Sequence, residues 1–505
     1  MTSTTQSRFD RLCEKTREAS YLQSTISLLE WDQQTKLPSG GVEYRADQLT
    51  YLAGKMHQMR TDPELGDLLG ELSESELVKD PNSDAGATIL ELKRDYEKKV
   101  KLPERLVQEM TRAASVGQQV WIEARKENDF SKFAPNVKEI FRLKREQAEA
   151  VGYDEVPYDA LLDDYEPQAK TREVAAALES LKNELVPLVA AIAESDSRPD
   201  ASVLRRHFPQ SAQEEFVRTA SSQVGFDYTR GRLDIAHHPF CQESGPSDCR
   251  ITTRYQEDFF SPAFFGTLHE AGHGIYEQGL RADWYGLPPG QYCSLGIHES
   301  QSRLWENLVG RSREFWTYFY PQAQSTFADT LGDVSQDDFF AAINLVEPSL
   351  IRVEADEATY NLHIIIRFQL EQAVINGDLD TDDLPTAWDE KYDEYLGLHS
   401  PTVADGVLQD IHWSAGLVGY FPTYSLGNLY AGQFFDAAEK ELGALGPQFA
   451  KGQFQPLKEW LNQKIHQPGK CYSSPELGKN VTGTTLSHEP MMRHLQAKLA
   501  PIYGL

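Results

Sequence analysis

Two histidines four residues apart, in His269-Glu270-Ala271-Gly272-His273, constrain this chain more than any other feature, because they can serve one metal ion only if the segment is helical. On an α-helix residues i and i+4 project from the same side, one turn apart, so both imidazoles reach a single zinc at about 2.0–2.1 Å. The neighbouring residues agree with a helix. Ser261-Pro262 reads as its start, a hydroxyl N-cap followed by a first-turn proline. Phe264, Leu268, Ala271 and Ile275 form an apolar stripe, and Gly279 reads as the stop. Both histidines and Glu270 fall off that stripe. Glu270 follows the first histidine, where a carboxylate can hold a metal-activated water and act as general base.

A catalytic zinc needs a third protein ligand and an open position. No third histidine follows closely, so a downstream carboxylate is expected. Glu299, in Gly296-Ile-His-Glu-Ser-Gln-Ser302, follows a Gly/Pro-rich break at Gly286 to Gly290 and opens a helical pattern through Leu304 and Leu308. A helix returning antiparallel brings its early turn to the histidines; on spacing alone an ordinary surface glutamate fits Glu299 as well. Glu277 is carried a turn beyond the metal by its own helix.

Around this centre the chain reads as mainly helical. Ala85 to Val100 and Pro103 to Asn128 are amphipathic helices, Lys79 to Asp84 is a turn, and Glu194 to Ala201 is a longer connection. Near residue 230 the pattern changes. Arg232 to Ala236 and Cys249 to Tyr255 alternate as two short strands of a small sheet, separated by a turn-rich loop at Gln242 to Asp248. A helix is expected from about Ser349 to Asn376. These elements read as mainly α, a large helical zincin-type metallopeptidase with a small β-sheet. It is read as one domain over 1–505, with 1–200 a helical lobe and 230–430 the zinc and substrate region.

The formal charge of -28 excludes a nucleic-acid surface, which needs basic groups to displace counterions. No apolar run approaches the roughly 18 residues of a membrane span, and Met1 to Lys15 lacks the basic and apolar blocks of a secretory signal. A cytoplasmic protein is expected. Its five cysteines, Cys13, Cys241, Cys249, Cys293 and Cys471, form no C-x-x-C pair and are expected as reduced thiols.

Several motifs occur in order over most of the chain: Trp31-Asp-Gln-Gln-Thr35 with Pro38 and Gly40-Gly41, His238-Pro-Phe240, Asp248-Cys-Arg-Ile-Thr252, the histidine helix, His298-Glu-Ser-Gln301, Ile351-Arg-Val-Glu-Ala-Asp356, and Gly406-Val-Leu-Gln-Asp-Ile-His-Trp413. Together they resemble the carboxypeptidase Taq family of thermostable metallocarboxypeptidases. The resemblance implies a saddle-like helical protein with a deep groove, usually a homodimer. It implies removal of single residues from peptide C-termini with broad side-chain tolerance, zinc as the default metal with cobalt also usable, and Glu299 as third ligand.

It also implies roles that the residues alone leave open. His412 and Tyr420, flanking Gly416 and Gly419, are the expected oxyanion donors; by themselves they read more readily as a core histidine and a core aromatic. Arg352 is the expected anchor for the substrate carboxylate, with Arg250 in reserve. On the expected helix Arg352, Asp356, Thr359 and His363 make a polar stripe, and an Arg352–Asp356 ion pair is the competing reading. His238 is expected to line the groove and meet the substrate backbone, or to serve structure beside Pro239. Trp31-Asp32 is expected to cap or shape the groove. Two other readings stand beside a carboxypeptidase: an endopeptidase or dipeptidase of the same metal chemistry, and a helical binding protein with a silent zinc site.

Overall fold

The structure is a computed structural model and describes residues 4–505. Helices dominate, as the periodicity requires. The amphipathic stretches form as Asp84–Lys101 and Glu104–Glu127, with Pro103 one residue before the second helix rather than inside it. The first helix is capped by Ser83, whose hydroxyl accepts from the Gly86 N–H at 3.1 Å.

The small sheet has three strands: β1 (Gly231–Ile235), β2 (Cys241–Glu243) and β3 (Cys249–Thr253). β3 is central, parallel to β1 from Gly231↔Cys249 to Ile235↔Thr253 and antiparallel to β2 from Cys241↔Ile251 to Glu243↔Cys249. β2 falls partly within the segment expected as a loop. Three residues are too few for alternation to register, and the Gly-Pro turn beyond them dominates the local composition. Gly231 is required where β1 meets β3, since a Cβ there would collide with the carbonyl oxygen of Cys249.

The helix expected from Ser349 is a second correction. A 3-10 turn at Arg352–Glu354 comes first, the chain extends through Ala355 (ψ 143°), and the α-helix spans only Tyr360–Asn376. Asp356 accounts for the break: its Oδ1 accepts from the N–H groups of Ala358 and Thr359 at 2.9 and 3.0 Å, a local turn that competes with helix. Arg352, Asp356, Thr359 and His363 therefore do not share a helical stripe, and Arg352 pairs with Asp410 rather than Asp356.

One continuous apolar core runs from Trp121 to Tyr503, while Phe9, Leu69, Ile89 and their neighbours form a smaller cluster near the N-terminus. The histidine helix lies in the main core. Its first turns are locked by aromatic rings, with Phe264 stacked on Phe216 and Phe260 at 5.3 and 5.2 Å. Each such pair contributes about 0.5–1.5 kcal/mol beyond burial, which fixes the helix at the end away from its histidines. Among the described residues, no helix is long and apolar enough to cross a membrane.

Candidate metal centre

The histidine helix spans Phe260–Gly279 and the helix carrying Glu299 spans Leu295–Arg303. The first begins two residues earlier than its sequence suggests. Phe259 is the N-cap residue and Ser261 lies within the first turn, giving no side-chain cap, whereas the stop at Gly279 agrees. The second helix is capped by Ser294, whose Oγ accepts from the Ile297 N–H at 3.1 Å. Its start is tied down by Glu166, a fully buried carboxylate that accepts from the Gly296 N–H and from Ser474 Oγ.

Small residues let the two helices meet. A Cβ on Gly272 would stand 2.5 Å from the carbonyl oxygen of Gln301 and 2.6 Å from Cα of Ser302. Gly427, on the helix Pro422–Leu442, gives the Glu299 side chain the same room from the other side. At this approach Glu299 Oε2 lies 3.6 Å from His269 Nε2 and 3.4 Å from His273 Nε2. Ligands at about 2.0–2.1 Å around a tetrahedral ion stand about 3.3–3.4 Å apart, so these residues fit a zinc-sized dication. Among the described residues this is the one cluster of three such ligand atoms within 4.8 Å of one another.

Each candidate ligand is held from behind. His269 Nδ1 lies 2.9 Å from Glu306 Oε2, and Glu306 is placed by Arg303 at 3.3 Å and Arg311 at 3.7 Å. His273 Nδ1 lies 2.5 Å from His298 Nδ1, whose Nε2 meets Glu277 Oε1 at 2.8 Å. Arg303 Nε donates to Glu299 Oε1 at 2.7 Å, and Oε2, which accepts from Ser302 Oγ at 3.0 Å, is the oxygen turned to both imidazoles. The turn containing Glu306, Leu304–Val309, is π-helical, a local widening often found where a helix must aim a functional side chain. The sequence reading missed these partners, although Glu299, Arg303 and Glu306 at offsets of four and seven already lie on one helical face.

The electrostatics suit a cation. Burial alone would raise the Glu299 carboxyl, but Arg303 and the two imidazoles outweigh it and hold the group well below the usual range. Burial and His298 push His273 down to about 3, leaving a neutral imidazole with a free lone pair. At His269 burial is opposed and overcome by Glu299 and Glu306, and the field that favours a proton there favours a dication equally. Glu270 is only 6% exposed. Burial, with further help from Glu299 and Glu306, pushes it up to about 7, the range of an acid–base group.

The centre opens into a cavity of about 860 Å3 lined by His238, Glu270, Tyr292, Tyr420 and Tyr424, among others. Tyr420 and His412 lie on either side of the segment expected to fold toward the metal, their rings 5.4 Å apart. Gly416 and Gly419 both have positive φ, and a Cβ at Gly419 would stand 2.6 Å from the Leu161 carbonyl oxygen. The segment is clamped by buried Glu371, which accepts from the Gly419 N–H at 3.0 Å, Trp413 Nε1 at 2.8 Å and the Tyr158 hydroxyl at 2.6 Å. His412 Nε2 lies 3.3 Å from the Tyr424 hydroxyl. Burial pushes His412 down to about 4, and burial raises both tyrosine hydroxyls, keeping them protonated. The sequence reading also missed Tyr424, though it follows Tyr420 by four residues, in the first turn of the helix Pro422–Leu442.

Arg352 is 5% exposed, with Nε and a terminal nitrogen on Asp410 Oδ1 at 3.0 and 2.7 Å and the other on the Tyr360 hydroxyl at 3.0 Å. Asp410 also binds Arg367 at 2.6 Å. Arg250 is engaged by neighbours outside the histidine–glutamate cluster. It pairs with Asp248 at 2.8 Å and covers the Trp31 ring at 4.5 Å, while Asp32 holds Arg45 at 2.8 Å. His238 lines the cavity, its imidazole lowered by burial and by Arg254 and Arg352.

Comparisons with known proteins agree with this geometry. The family profile of the carboxypeptidase Taq (M32) metallopeptidases matches residues 11–499. Thermostable carboxypeptidase 1 of Thermus thermophilus is 48% identical over 99% of this chain and 100% of its own length. Carboxypeptidase 1 of Bacillus subtilis is 37% identical, covering 97% of each chain. The crystal structure of the M32 carboxypeptidase from Deinococcus radiodurans R1 superposes with a TM-score of 0.95 at 37% identity, over 99% of this chain and 100% of that one.

Proposed function

The chain belongs to the carboxypeptidase Taq (M32) metallopeptidases and is a metallocarboxypeptidase, and from that premise we propose that it removes single C-terminal residues with a zinc ion held by His269, His273 and Glu299. What carries the reading is the pair of contacts of 3.4 and 3.6 Å on one oxygen of Glu299, with a buried carboxylate, Glu270, beside them. A bound dication there supplies Lewis acidity, activating water and polarising the scissile carbonyl. Cobalt is the expected substitute, being a divalent ion suited to nitrogen and oxygen donors.

The protein's own groups do the rest. Glu270 takes the proton of the attacking water and returns one to the leaving amine, a role that its raised pKa supports. Tyr420, a protonated hydroxyl in the cavity wall, donates to the oxyanion as the carbonyl becomes tetrahedral. His412 acts with it as a neutral imidazole, linked to the same region through Tyr424. Arg352 anchors the terminal carboxylate by exchanging some of its contact with Asp410 for the substrate, since a planar fork binds either carboxylate equally well. His238 meets the substrate backbone in the groove. Arg250, engaged by Asp248 and Trp31, is the reserve anchor.

The same reading includes a homodimer and a cytoplasmic location. Five free cysteines support the reducing compartment, and size-exclusion with light scattering tests the dimer. The direct test of the function is metal analysis coupled to mass spectrometry of peptide ladders, before and after chelation. Sequential loss of single residues that stops on chelation and returns with zinc supports the proposal. Internal cleavage, equal cleavage of a C-terminal amide, or full activity in metal-free protein would overturn it.

A further inference from the structure

Two thiols in the groove wall take no role in peptide hydrolysis. Cys241 lies on β2 opposite Ile251, and Cys249 lies two residues before Ile251 on β3. Side chains alternate along a strand, so both cysteines stand on one face of the sheet. That face is turned toward the histidine helix: Cγ2 of Ile251 lies 3.4 Å from where a Cβ on Gly274 would stand. Both cysteines line the cavity that contains His269, Glu270 and His273. Neither is in a disulfide, and their sulfurs are 3.6 Å apart.

That separation discriminates between two kinds of chemistry. A disulfide needs sulfurs at about 2.0 Å, and residues placed diagonally across an antiparallel pair have Cα atoms about 7–8 Å apart, beyond the span that closes without backbone movement. One tetrahedral ion bound at about 2.3 Å by two thiolates instead holds them about 3.8 Å apart. The pair is therefore spaced as the bite of a soft ion. No third ligand atom completes the set among the described residues, where the single three-ligand cluster is that of His269, His273 and Glu299. A ligand satisfied by two thiolates fits best.

We propose that Cys241 and Cys249 form a two-thiolate site for a thiophilic metal or metalloid, such as trivalent arsenic or a soft divalent cation, and that its occupation blocks the substrate groove. The site is separate in kind from the catalytic one, which offers two imidazoles and a carboxylate, ligands that soft ions favour less than sulfur. The hydrogen bond to Cys249 and burial raise the Cys241 thiol, and Glu270 and Glu277 raise it further. Capture of two thiols displaces their two S–H protons. With an organoarsenical carrying two hydroxyls, two As–S bonds form, two As–O bonds break and two waters leave, with no change in oxidation state.

The test uses the zinc-loaded enzyme titrated with phenylarsine oxide. One equivalent is expected to remove two titratable thiols, add one phenylarsenic unit in the intact mass and map to the peptides holding Cys241 and Cys249. Turnover should fall at least tenfold with zinc content unchanged, and dithiothreitol should reverse the loss where an equal excess of a monothiol does not. Cys241→Ser and Cys249→Ser should each retain turnover and lose tight capture; Cys241→Ala serves if a serine variant fails to fold. The thiol count and mass read the site independently of peptidase activity, so failure of the hydrolytic reading would leave them interpretable. Unchanged thiols in wild type, inhibition that persists in both serine variants, or a full adduct without loss of activity would each overturn the proposal.

Discussion

Glu306 stands behind His269, its Oε2 2.9 Å from Nδ1, while Nε2 of the same ring faces Glu299. A carboxylate in that position fixes the ring's orientation and tautomer and makes the outward nitrogen a better donor. Glu306→Gln keeps the size and one hydrogen bond but removes the charge. Metal affinity, measured by competition with a chelator, should fall about 10- to 100-fold with the helical circular dichroism unchanged. Wild-type affinity in the variant would deny Glu306 any role in building the site.

Glu270 is separated in role from His269 and His273 on the same helix. It is not among the three clustered ligand atoms, so Glu270→Gln should bind a full equivalent of metal. Turnover should fall by roughly 10²- to 10⁴-fold, the range for loss of a positioned acid–base group, with KM little changed. Metal content by elemental analysis and kcat on a blocked dipeptide check the two halves. An active, metal-loaded variant would remove Glu270 from the mechanism.

What could be read from the sequence follows from the range of the interactions involved. The histidine pair and its helix rest on i, i+4 geometry, which is local and therefore visible. Glu299 lies 26 residues beyond His273, and spacing leaves its destination open; what brings it in is close contact at Gly272 and Gly427, which sequence does not reveal without a partner surface. The break before Tyr360 was hidden because Asp356 is acceptable in a helical stripe until its carboxylate turns onto its own backbone. Asp410, which holds Arg352 and Arg367 together, lies 58 residues from the first of them, and no local pattern links such a pair.

Arg352 tests the exopeptidase assignment. Its guanidinium bridges Asp410 and the Tyr360 hydroxyl, so Arg352→Met should be paired with Arg352→Lys, which keeps the charge and loses the fork. If the fork anchors a terminal carboxylate, both variants should raise KM for a blocked dipeptide acid, by about tenfold or more for loss of a charge-assisted contact. The corresponding amide, cleaved poorly at best, should be scarcely affected. Equal effects on acid and amide would show that Arg352 acts only through the Asp410 network.

Glu166 links the helix that carries Glu299 to pH. Burial pushes its carboxyl up to about 7 from an ordinary value of 4.5, against the opposing bonds from Gly296, Ser294 and Ser474. Below the ordinary value the group is protonated in both folded and unfolded chains. Between the two values the folded protein keeps a proton that the unfolded chain releases, so stability from this group falls as pH rises, by at most about 1.4 kcal/mol per unit. Glu166→Gln cannot titrate. The difference in Tm between variant and wild type should therefore move in the variant's favour from pH 5 to pH 7.5, and a constant difference would place the titration of Glu166 elsewhere.

Gly272 and Gly266 sit on the same helix and give opposite expectations. At Gly266 a Cβ meets nothing within 4 Å, whereas at Gly272 it would press on backbone atoms of Gln301 and Ser302 at 2.5 and 2.6 Å. Alanine at Gly266 gains helix propensity and should stabilise by up to about 1 kcal/mol. Alanine at Gly272 gains the same propensity but must push a pair of packed helices apart, at a cost of about 1–3 kcal/mol. Because the helix that would be pushed away carries Glu299, the damage should not stop at stability: Gly272→Ala should lose metal affinity, and Gly266→Ala should keep it. Parallel thermal melts and metal titrations of the two variants read both quantities. If Gly272→Ala melts and binds metal as wild type does, the helix contact is looser than these distances describe, and the positioning of Glu299 must depend on something other than the absence of one methyl group.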